Sequence, residues 1–286
     1  MALFGNTSTQ RQVERPIVRW RESGAKAVDD IVTVEEPLEV RVGGVSVAVI
    51  MRTPRDDFDL AAGFLLTEGL IDGPEAIGAI SYCASAEAPN EKNVIEVKMA
   101  TGQHFDDEQL KRNFYASSSC GICGKASIEA ITSRVPALQS DLVLTPDLLC
   151  ALPDKMRQAQ AVFECTGSLH AAALFDEQGE LLLLREDVGR HNAVDKLVGA
   201  FALRGESVPQ RSALLVSGRT SYEIVQKAMA AGIALVAAVS APSSLAVDLA
   251  AAAGMTLVGF LRGRGFNVYA GAERIIGDMP IIELAE

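Results

Sequence analysis

Short runs of apolar residues, many of them β-branched, mark the first hundred residues of the chain. Residues 38–42 and 45–51 are two such runs with Gly43-Gly44 between them, which predicts a β-hairpin with a glycine turn. The acidic segment 56–59 places negative charge in the first turn of a predicted helix. Other strands are predicted at residues 31–34, 77–80 and 93–98. These elements together predict a small α+β module over residues 13–112.

Beyond Thr166 the pattern becomes an alternation of strands and helices. Strands are predicted at residues 213–216, 234–239 and 256–261, helices between them at 222–231 and 245–253, and a hairpin from runs 171–175 and 181–184. Strand–loop–helix units of this length predict parallel strands with right-handed crossovers, and ligands bind such sheets at the carboxyl ends of the strands. We therefore expect an α/β domain over residues 126–286, joined to the first module by a connector at residues 113–125.

Two thiols, Cys120 and Cys123, lie in the predicted connector among serine and glycine residues that leave them unshielded. A helix predicted to begin near Lys125 favours thiolate over thiol through its dipole and its unpaired N–H groups. The residues alone allow three interpretations, namely a redox disulfide, half of a metal site, or a carrier of sulfur. A structural zinc site needs a second pair of ligands, and a thioredoxin-type pair follows a strand in a βαβ unit. Neither context is visible here, so sulfur transfer is favoured while the other two stay open.

The ends of the predicted parallel strands carry residues suited to an anionic ligand. They are Ser217, Gly218 and Arg219 after one strand, Ser243 and Ser244 after the next, and Arg262, Gly263, Arg264 and Gly265 after the last. Hydroxyls and backbone N–H groups at helix starts hold phosphate, and guanidinium groups bond it bidentately. Each segment alone is also an ordinary N-cap or loop. Their recurrence on neighbouring strands predicts one shared phosphorylated ligand, such as a nucleotide.

The segment 185–196 concentrates charge where a strand is predicted to end and a helix to begin. One interpretation is a solvated loop with Asn192 as the helix cap. The density of Asp, Arg and His residues in one turn favours a binding or catalytic role instead. His191 in this segment is a candidate proton donor or acceptor near neutral pH.

The amino-acid composition of the chain excludes several classes of protein. The net charge of −11 and the pI of about 4.9 argue against a general nucleic-acid binder, which normally presents a basic field. Five cysteines are too few for a disulfide framework in 286 residues, and Cys150 and Cys165 are expected in the core. No secretory signal and no apolar run long enough to span a bilayer is visible. We therefore expect a cytoplasmic protein that binds neither nucleic acid nor membrane.

Five motifs, in this order, resemble the formate dehydrogenase accessory sulfurtransferase family (FdhD). They occupy residues 117–124, 166–172, 185–196, 216–223 and 259–269. The first reads Ser-Ser-Ser-Cys-Gly-Ile-Cys-Gly and contains both thiols. The resemblance extends from about Val13 to the last predicted strand, and several long motifs in one order make it specific.

The resemblance implies a sulfur carrier that formate dehydrogenase requires for activity. Cys120 matches the persulfide position of the family and Cys123 its partner. Sulfur would come from a cysteine desulfurase and pass to the molybdenum cofactor that carries two molybdopterin guanine dinucleotides, before that cofactor is inserted into formate dehydrogenase. The cofactor is thus a ligand and substrate, and no tightly bound group is expected. The matching cofactor-binding stretch is Phe260, Leu261, Arg262, Gly263, Arg264 and Gly265.

The larger domain of this family is similar to the cytidine deaminase fold, but the resemblance does not imply zinc chemistry. A deaminase carries His-x-Glu ahead of Pro-Cys-x-x-Cys. Here Ser119 precedes Cys120, and His170 follows the pair without the glutamate, so no metal site is expected. The expected partners are the desulfurase, formate dehydrogenase and a second copy of the chain in a homodimer. The alternative function is a chaperone that hands over the molybdenum cofactor without transferring sulfur.

Overall fold

The computed structural model describes residues 10–103 and 138–277. The chain divides into two compact units that interleave along the sequence. Of the described residues, the first unit contains 10–103, 160–172 and 185–207, and the second contains 138–159, 173–184 and 208–277. The predicted connector at residues 113–125 lies outside the described residues and stays a prediction.

The first unit contains a two-stranded antiparallel ribbon of β1 (Gln12–Arg21) and β2 (Gly24–Thr33), and among the described strands these two pair only with each other. A four-stranded sheet follows in the order β4-β3-β6-β5. Its strands are β3 (Glu36–Val42), β4 (Val45–Arg52), β5 (Ile77–Tyr82) and β6 (Val94–Met99). The predicted hairpin is confirmed, because β3 and β4 pair around Gly43 and Gly44, which both adopt positive φ angles.

Side chains along β3 alternate between the core and the surface, as a half-buried strand requires. Its inward residues Leu38, Val40 and Val42 pack in one apolar cluster with Leu60 and Leu65 of α1 (Asp57–Thr67). The predicted helix after the acidic segment is therefore confirmed, and its apolar face closes the core of the small module.

Helix α1 packs against a long buried helix of the same unit, which we call α4 (Arg190–Ala202). Gly63 of α1 and Gly199 of α4 allow this approach. A methyl group on Gly63 would overlap the backbone carbonyl of Asp195, and one on Gly199 would overlap that of Asp59. The two backbones therefore touch at positions where only glycine fits.

In the described part of the chain, two more helices precede α4, namely α2 (Pro146–Ala159) and α3 (Ala161–Thr166). The second sheet has six strands in the order β12-β11-β10-β9-β7-β8. These strands are β7 (His170–Asp176), β8 (Leu181–Asp187), β9 (Ser212–Val216), β10 (Leu235–Ala238), β11 (Thr256–Arg262) and β12 (Gly265–Ala270). Helices α5 (Tyr222–Ala230) and α6 (Ser244–Ala252) connect β9 to β10 and β10 to β11.

Strands β9, β10 and β11 are parallel, as the sequence predicts. Every residue of β9 and β10 is buried, which explains why these strands read as continuous apolar runs. The mixed α/β class is thus confirmed. The topology places the ends of β9, β10 and β11, with the loops that follow them, at one edge of the sheet.

Candidate functional site

Three of the segments predicted to hold an anion are joined by backbone hydrogen bonds in the second unit. The N–H of Thr220 donates to the carbonyl of Ala241 at 3.2 Å, and the carbonyl of Thr220 accepts from the N–H of Ser243 at 2.9 Å. The N–H of Phe260 donates to the carbonyl of Ser240 at 3.0 Å. We call the segments 217–221, 240–244 and 259–265 the strand-end cluster. The sequence predicted that they would meet, and the structure brings them together.

The irregular second half of β11 packs closely against its neighbours. A methyl group on Gly259 would lie 2.9 Å from Pro242 Cδ and 2.9 Å from Tyr269 Cε2, so this position requires glycine. Phe260 then adopts a φ of 54°, in the left-handed region that non-glycine residues rarely occupy. Such local strain is typical of functional loops, where the surrounding structure holds it in place.

All three arginine side chains of the cluster face solvent. Arg219 and Arg262 are both exposed, and neither forms an ion pair with any residue in the described ranges. Arg262 instead lies over the ring of Phe260, with 5.7 Å between its guanidinium carbon and the ring centroid. Arg264 is also exposed, and its guanidinium is 3.5 Å from Asp147. Cations that are free of carboxylate partners suit a negatively charged ligand.

A buried hydroxyl in the cluster lacks a partner. Thr220 is 1% exposed, and its Oγ1 has no hydrogen-bond partner in the part of the chain that the structure describes. A buried polar atom without a partner costs free energy, so such an atom points to a group that binds there. Thr220 was not among the site residues named from the sequence, because a threonine between Arg219 and Ser221 resembles any loop hydroxyl.

Not every predicted residue offers its side chain to a ligand. The hydroxyl of Ser243 caps α6 by accepting from the N–H of Ala246 at 3.3 Å. Leu261 is fully buried in the core, so only its backbone can face a ligand. Ser244 is exposed at the first position of α6, and Ser217 and Gly218 are half-buried after β9. Gly263 takes a positive φ and Gly265 begins β12.

The charged segment 185–196 lies in the first unit, and several of its charged groups bind each other or other residues of that unit. Asp187 accepts from the backbone N–H of Thr53 at 3.1 Å and from Asn192 Nδ2 at 2.7 Å, and it pairs with Lys196. Arg185 binds Asp59 of α1 through two hydrogen bonds. Most of the charge that suggested a binding site is therefore structural.

The expectation that Asn192 caps the helix is wrong. The N-cap is Gly189, and Asn192 is the third residue of α4. Its amide donates to the carbonyl of Met51 at 2.8 Å as well as to the buried carboxylate of Asp187, and these two hydrogen bonds hold it inside the helix.

Two further basic residues of the segment lie at the start of α4. His191 and Arg190 occupy the first turn of α4, and the Nε of Arg190 is buried without a hydrogen-bond partner among the described residues. His170 is half-buried nearby. Burial lowers its pKa, and the charges of Arg190 and His191 lower it further against the opposing effect of Asp187. His191 belongs to the first unit, whereas the strand-end cluster belongs to the second.

Cys120 and Cys123 lie outside the described residues. Of the other thiols, Cys165 is exposed and Cys150 only half-buried, so the expectation of core positions is wrong for Cys165. Cys83 was not singled out from the sequence. The hydroxyl and backbone N–H of Ser85 lower its pKa, and its sulfur lies 3.2 Å from that hydroxyl. The sulfur is therefore thiolate-prone for reasons that only the fold reveals.

Neither a membrane-spanning helix nor a metal-binding cluster is present among the described residues. No helix within residues 10–103 and 138–277 is long and apolar enough to cross a membrane. In the same ranges no three His, Cys, Asp or Glu side chains lie together in a way that could hold a metal ion.

Comparisons with known proteins agree on one family. The FdhD/NarQ family model matches residues 33–276. The sulfur carrier protein FdhD of Streptomyces coelicolor is 55% identical over 267 residues, which cover 91% of this chain and 94% of that protein. The sulfur carrier protein FdhD of Mycobacterium tuberculosis is 50% identical over 254 residues, which cover 86% and 92%.

A solved structure points to the same family. It is a crystal structure from Desulfotalea psychrophila, of a protein described as a proposed formate dehydrogenase accessory protein. The two structures superpose with a TM-score of 0.74 at 26% sequence identity, over 93% of this chain and 100% of the other.

Proposed function

The chain belongs to the FdhD/NarQ family, and we propose that it is a sulfur carrier that serves formate dehydrogenase by sulfurating its molybdenum cofactor. In this proposal Cys120 accepts sulfur from a cysteine desulfurase, and the acceptor is the molybdenum cofactor with two molybdopterin guanine dinucleotides. The observation that carries the proposal is the strand-end cluster, whose exposed guanidiniums and unpartnered Thr220 hydroxyl suit a guanine dinucleotide.

The first step is an exchange of sulfur between two thiols. The Cys120 thiolate attacks the outer sulfur of the donor's persulfide, the S–S bond of the donor breaks, and the donor leaves as a thiolate. Cys120 then holds a persulfide whose terminal sulfur is again a nucleophile. If Cys123 attacks the inner sulfur, the outer one leaves as hydrosulfide, and a Cys120–Cys123 disulfide remains for a cellular thiol to reduce.

The strand-end cluster supplies the binding energy for the polyanionic substrate. Arg219 and Arg262 bond phosphate oxygens, and the backbone N–H groups at the starts of α5 and α6 add their dipoles. The Thr220 hydroxyl gains the partner that it lacks. The half-exposed ring of Phe260 provides an apolar face beside Arg262 for the guanine base.

Mass spectrometry of the intact protein tests the sulfur-carrier function. The protein is incubated with a cysteine desulfurase and cysteine, and we expect the mass of one added sulfur atom. Cys120→Ala should abolish the addition, while Cys83→Ala, which removes the other thiolate-prone sulfur, should retain it. An adduct that persists in Cys120→Ala, or no adduct at all, would overturn the assignment.

A second candidate function is a cofactor chaperone that transfers no sulfur. The observation in its favour is that the strand-end cluster is complete without any cysteine side chain. Formate dehydrogenase activation that survives loss of both Cys120 and Cys123 would establish the chaperone. Loss of activation with unchanged nucleotide binding would establish the carrier.

A further inference from the structure

A cavity of about 480 Å³ opens on the outer face of the four-stranded sheet in the first unit. One wall is formed by outward side chains of β3 and β4, and the other by the loop that joins β5 to β6. Its volume lies within the roughly 300–1,000 Å³ that is typical of sites for small molecules. All its lining residues belong to the first unit, so the cavity is not part of the strand-end cluster.

The strand register places Cys83 on the same face of the sheet as the cavity. Glu39 of β3 is opposite Val49 of β4 and Val94 of β6, and all three line the cavity. Directly after β5, the N–H of Cys83 donates to the carbonyl of Val94 at 2.8 Å, so Cys83 continues this row, whose members share one face. Its sulfur lies 3.2 Å from the hydroxyl of Ser85, another lining residue. The thiol therefore borders the cavity.

A buried amide nitrogen lines the cavity without a partner. Asn93 is 4% exposed, and its Oδ1 accepts from Arg52 at 3.1 Å. Its Nδ2 donates no hydrogen bond within residues 10–103 and 138–277. A buried donor without a partner costs free energy, so this nitrogen points to a ligand that brings an acceptor group into the cavity.

Opposite charges lie side by side on the wall formed by β3. The Nη2 of Arg41 donates to a carboxylate oxygen of Glu39 at 2.8 Å, and both side chains line the cavity. The other guanidinium nitrogens of Arg41 form no hydrogen bond in the described part of the chain. A guanidinium binds carboxylate and a carboxylate binds ammonium. A ligand that carries both groups, as free peptides do, matches this wall.

We propose that this cavity binds the disulfide of a short cysteine-containing peptide, and that Cys83 exchanges with it to form a mixed disulfide. The carboxylate of the peptide binds Arg41 and the free Nδ2 of Asn93, and its ammonium group binds Glu39. The Cys83 thiolate attacks one sulfur of the ligand, the S–S bond breaks, and the other half leaves as a thiolate that takes up a proton from water. Cys83 is oxidised to the mixed disulfide while the released half is reduced to a thiol, and excess free peptide thiol reverses the exchange.

The surroundings of the thiol favour its reactive form. The hydroxyl and the backbone N–H of Ser85 lower the pKa of Cys83, and the positive charge of Arg41 lowers it as well, against the opposing effect of burial. The thiolate is the species that attacks a disulfide. Arg41 therefore acts on both partners of the exchange, because it binds the carboxylate of the ligand and favours the thiolate of Cys83.

Exchange kinetics of the reduced full chain test the proposal, with peptide mass spectrometry following the mixed disulfide at Cys83. We expect the rate to saturate with glutathione disulfide, but to rise linearly with 2-hydroxyethyl disulfide, which has neither a carboxylate nor an ammonium group. Asn93→Asp keeps an acceptor for Arg52 and replaces the free donor with a carboxylate oxygen. It should lower the ratio of the first rate to the second roughly tenfold or more, since a hydrogen bond to a charged group is lost.

Ser81→Asp is the matched control. Ser81 is opposite Glu96, which is opposite Arg41, so it lies on the same face of the sheet, but it is not among the lining residues. The substitution adds the same charge outside the cavity and should leave the ratio of the two rates unchanged.

Other outcomes contradict the proposal. A linear dependence on both disulfides, with the same ratio in every variant, would show that Cys83 is a reactive thiol without a binding site. Equal losses in Ser81→Asp and Asn93→Asp would show that only net charge matters. Circular dichroism checks folding, and Arg41→Gln is a second variant, which should also lower the ratio because its effect on the thiolate is common to both disulfides. Sulfur loading of Cys120 should persist in Cys83→Ala, so that failure of the exchange and failure of the sulfur-carrier function are distinguishable.

Discussion

The ammonium group of Lys196 lies 2.7 Å from a carboxylate oxygen of Asp187, and neither side chain is exposed to solvent. Lys196 also donates to the carbonyl of Thr53 at 2.8 Å, and Asp187 accepts from the N–H of the same residue. The pair thus fastens the first turns of α4 to the segment between β4 and α1. Both charged groups have their partners inside the first unit, so they stabilise the fold and do not bind a ligand.

Replacing Lys196 with Met should destabilise the protein severely. The substitution leaves the Asp187 carboxylate buried without its cation, which costs about 3–5 kcal/mol. Chemical denaturation followed by circular dichroism measures the free energy of unfolding.

The chain offers a matched control for this buried pair. Lys155 and Glu180 are also 2.7 Å apart, but they are 38% and 71% exposed. Lys155→Met should cost no more than about 1 kcal/mol, because solvent screens an exposed pair. Equal losses in the two variants would show that burial does not govern the Lys196 pair.

Helix packing gives a second prediction, at Gly199. A methyl group here would overlap the carbonyl of Asp59, which is backbone and cannot rotate away. Gly199→Ala should therefore cost at least about 1–3 kcal/mol, the range for overpacked cores. The measurement is the midpoint of thermal unfolding. Gly265→Ala is the control, since an added methyl there meets nothing within 4 Å, and a similar loss in both variants would refute the steric argument.

Local pattern predicted the elements whose partners are near in the chain. The β3–β4 hairpin followed from Gly43-Gly44, and the parallel strands of the second sheet followed from buried apolar runs. The β1–β2 ribbon was missed as a unit, because a ribbon exposed on both faces shows no clear alternation of apolar and polar residues.

The candidate site was predicted in part for the same reason. The strand-end cluster was foreseen because parallel strands end at one edge, and the topology made the three loops meet. The sequence did not predict that most of the charge in segment 185–196 is structural. Its partners Met51 and Thr53 are more than 130 positions away in the chain. A local sequence pattern therefore does not show which residues of the segment bind them.

The pH dependence of stability is a third prediction, at His170. Its pKa in the folded protein lies below the ordinary value of 6.5. As the pH falls, His170 therefore binds a proton in the unfolded chain before it does so in the folded protein, which favours the unfolded state. The free energy of unfolding decreases as the pH falls below about 6.5, until the pH passes the folded-state pKa. Its contribution is constant above that window.

Denaturation at pH 7.5 and pH 5.5 checks this sign. We expect the free energy of unfolding to decrease more from pH 7.5 to pH 5.5 in the wild-type protein than in His170→Gln. His191→Gln removes a positive neighbour and should raise the pKa of His170, as measured by NMR titration of its ring. A pKa that stays the same or falls in His191→Gln would contradict the effect of His191 on the pKa of His170.

Thiol reactivity gives a fourth prediction. The hydroxyl and backbone N–H of Ser85 lower the pKa of Cys83, while burial raises that of Cys150. Since the thiolate is the reactive form, iodoacetamide should alkylate Cys83 faster than Cys150 at neutral pH, as followed by peptide mass spectrometry. Ser85→Ala should slow only the reaction of Cys83. Equal rates at both sulfurs would show that Ser85 does not stabilise the thiolate.

The strand-end cluster carries the last prediction. Arg262→Ala should weaken the binding of GDP, used as a probe for the guanine dinucleotide, by about 1.5–3 kcal/mol, the range for hydrogen bonds to charged groups. Isothermal titration calorimetry measures the affinity. Arg204→Ala is the control, because this exposed guanidinium also stacks on a phenylalanine, Phe201, but lies in the first unit. If both variants bind GDP as the wild type does, Arg262 does not contact the nucleotide. If both variants weaken GDP binding equally, the effect is one of net charge. Only a loss of affinity confined to Arg262→Ala would place the phosphates at the end of β11.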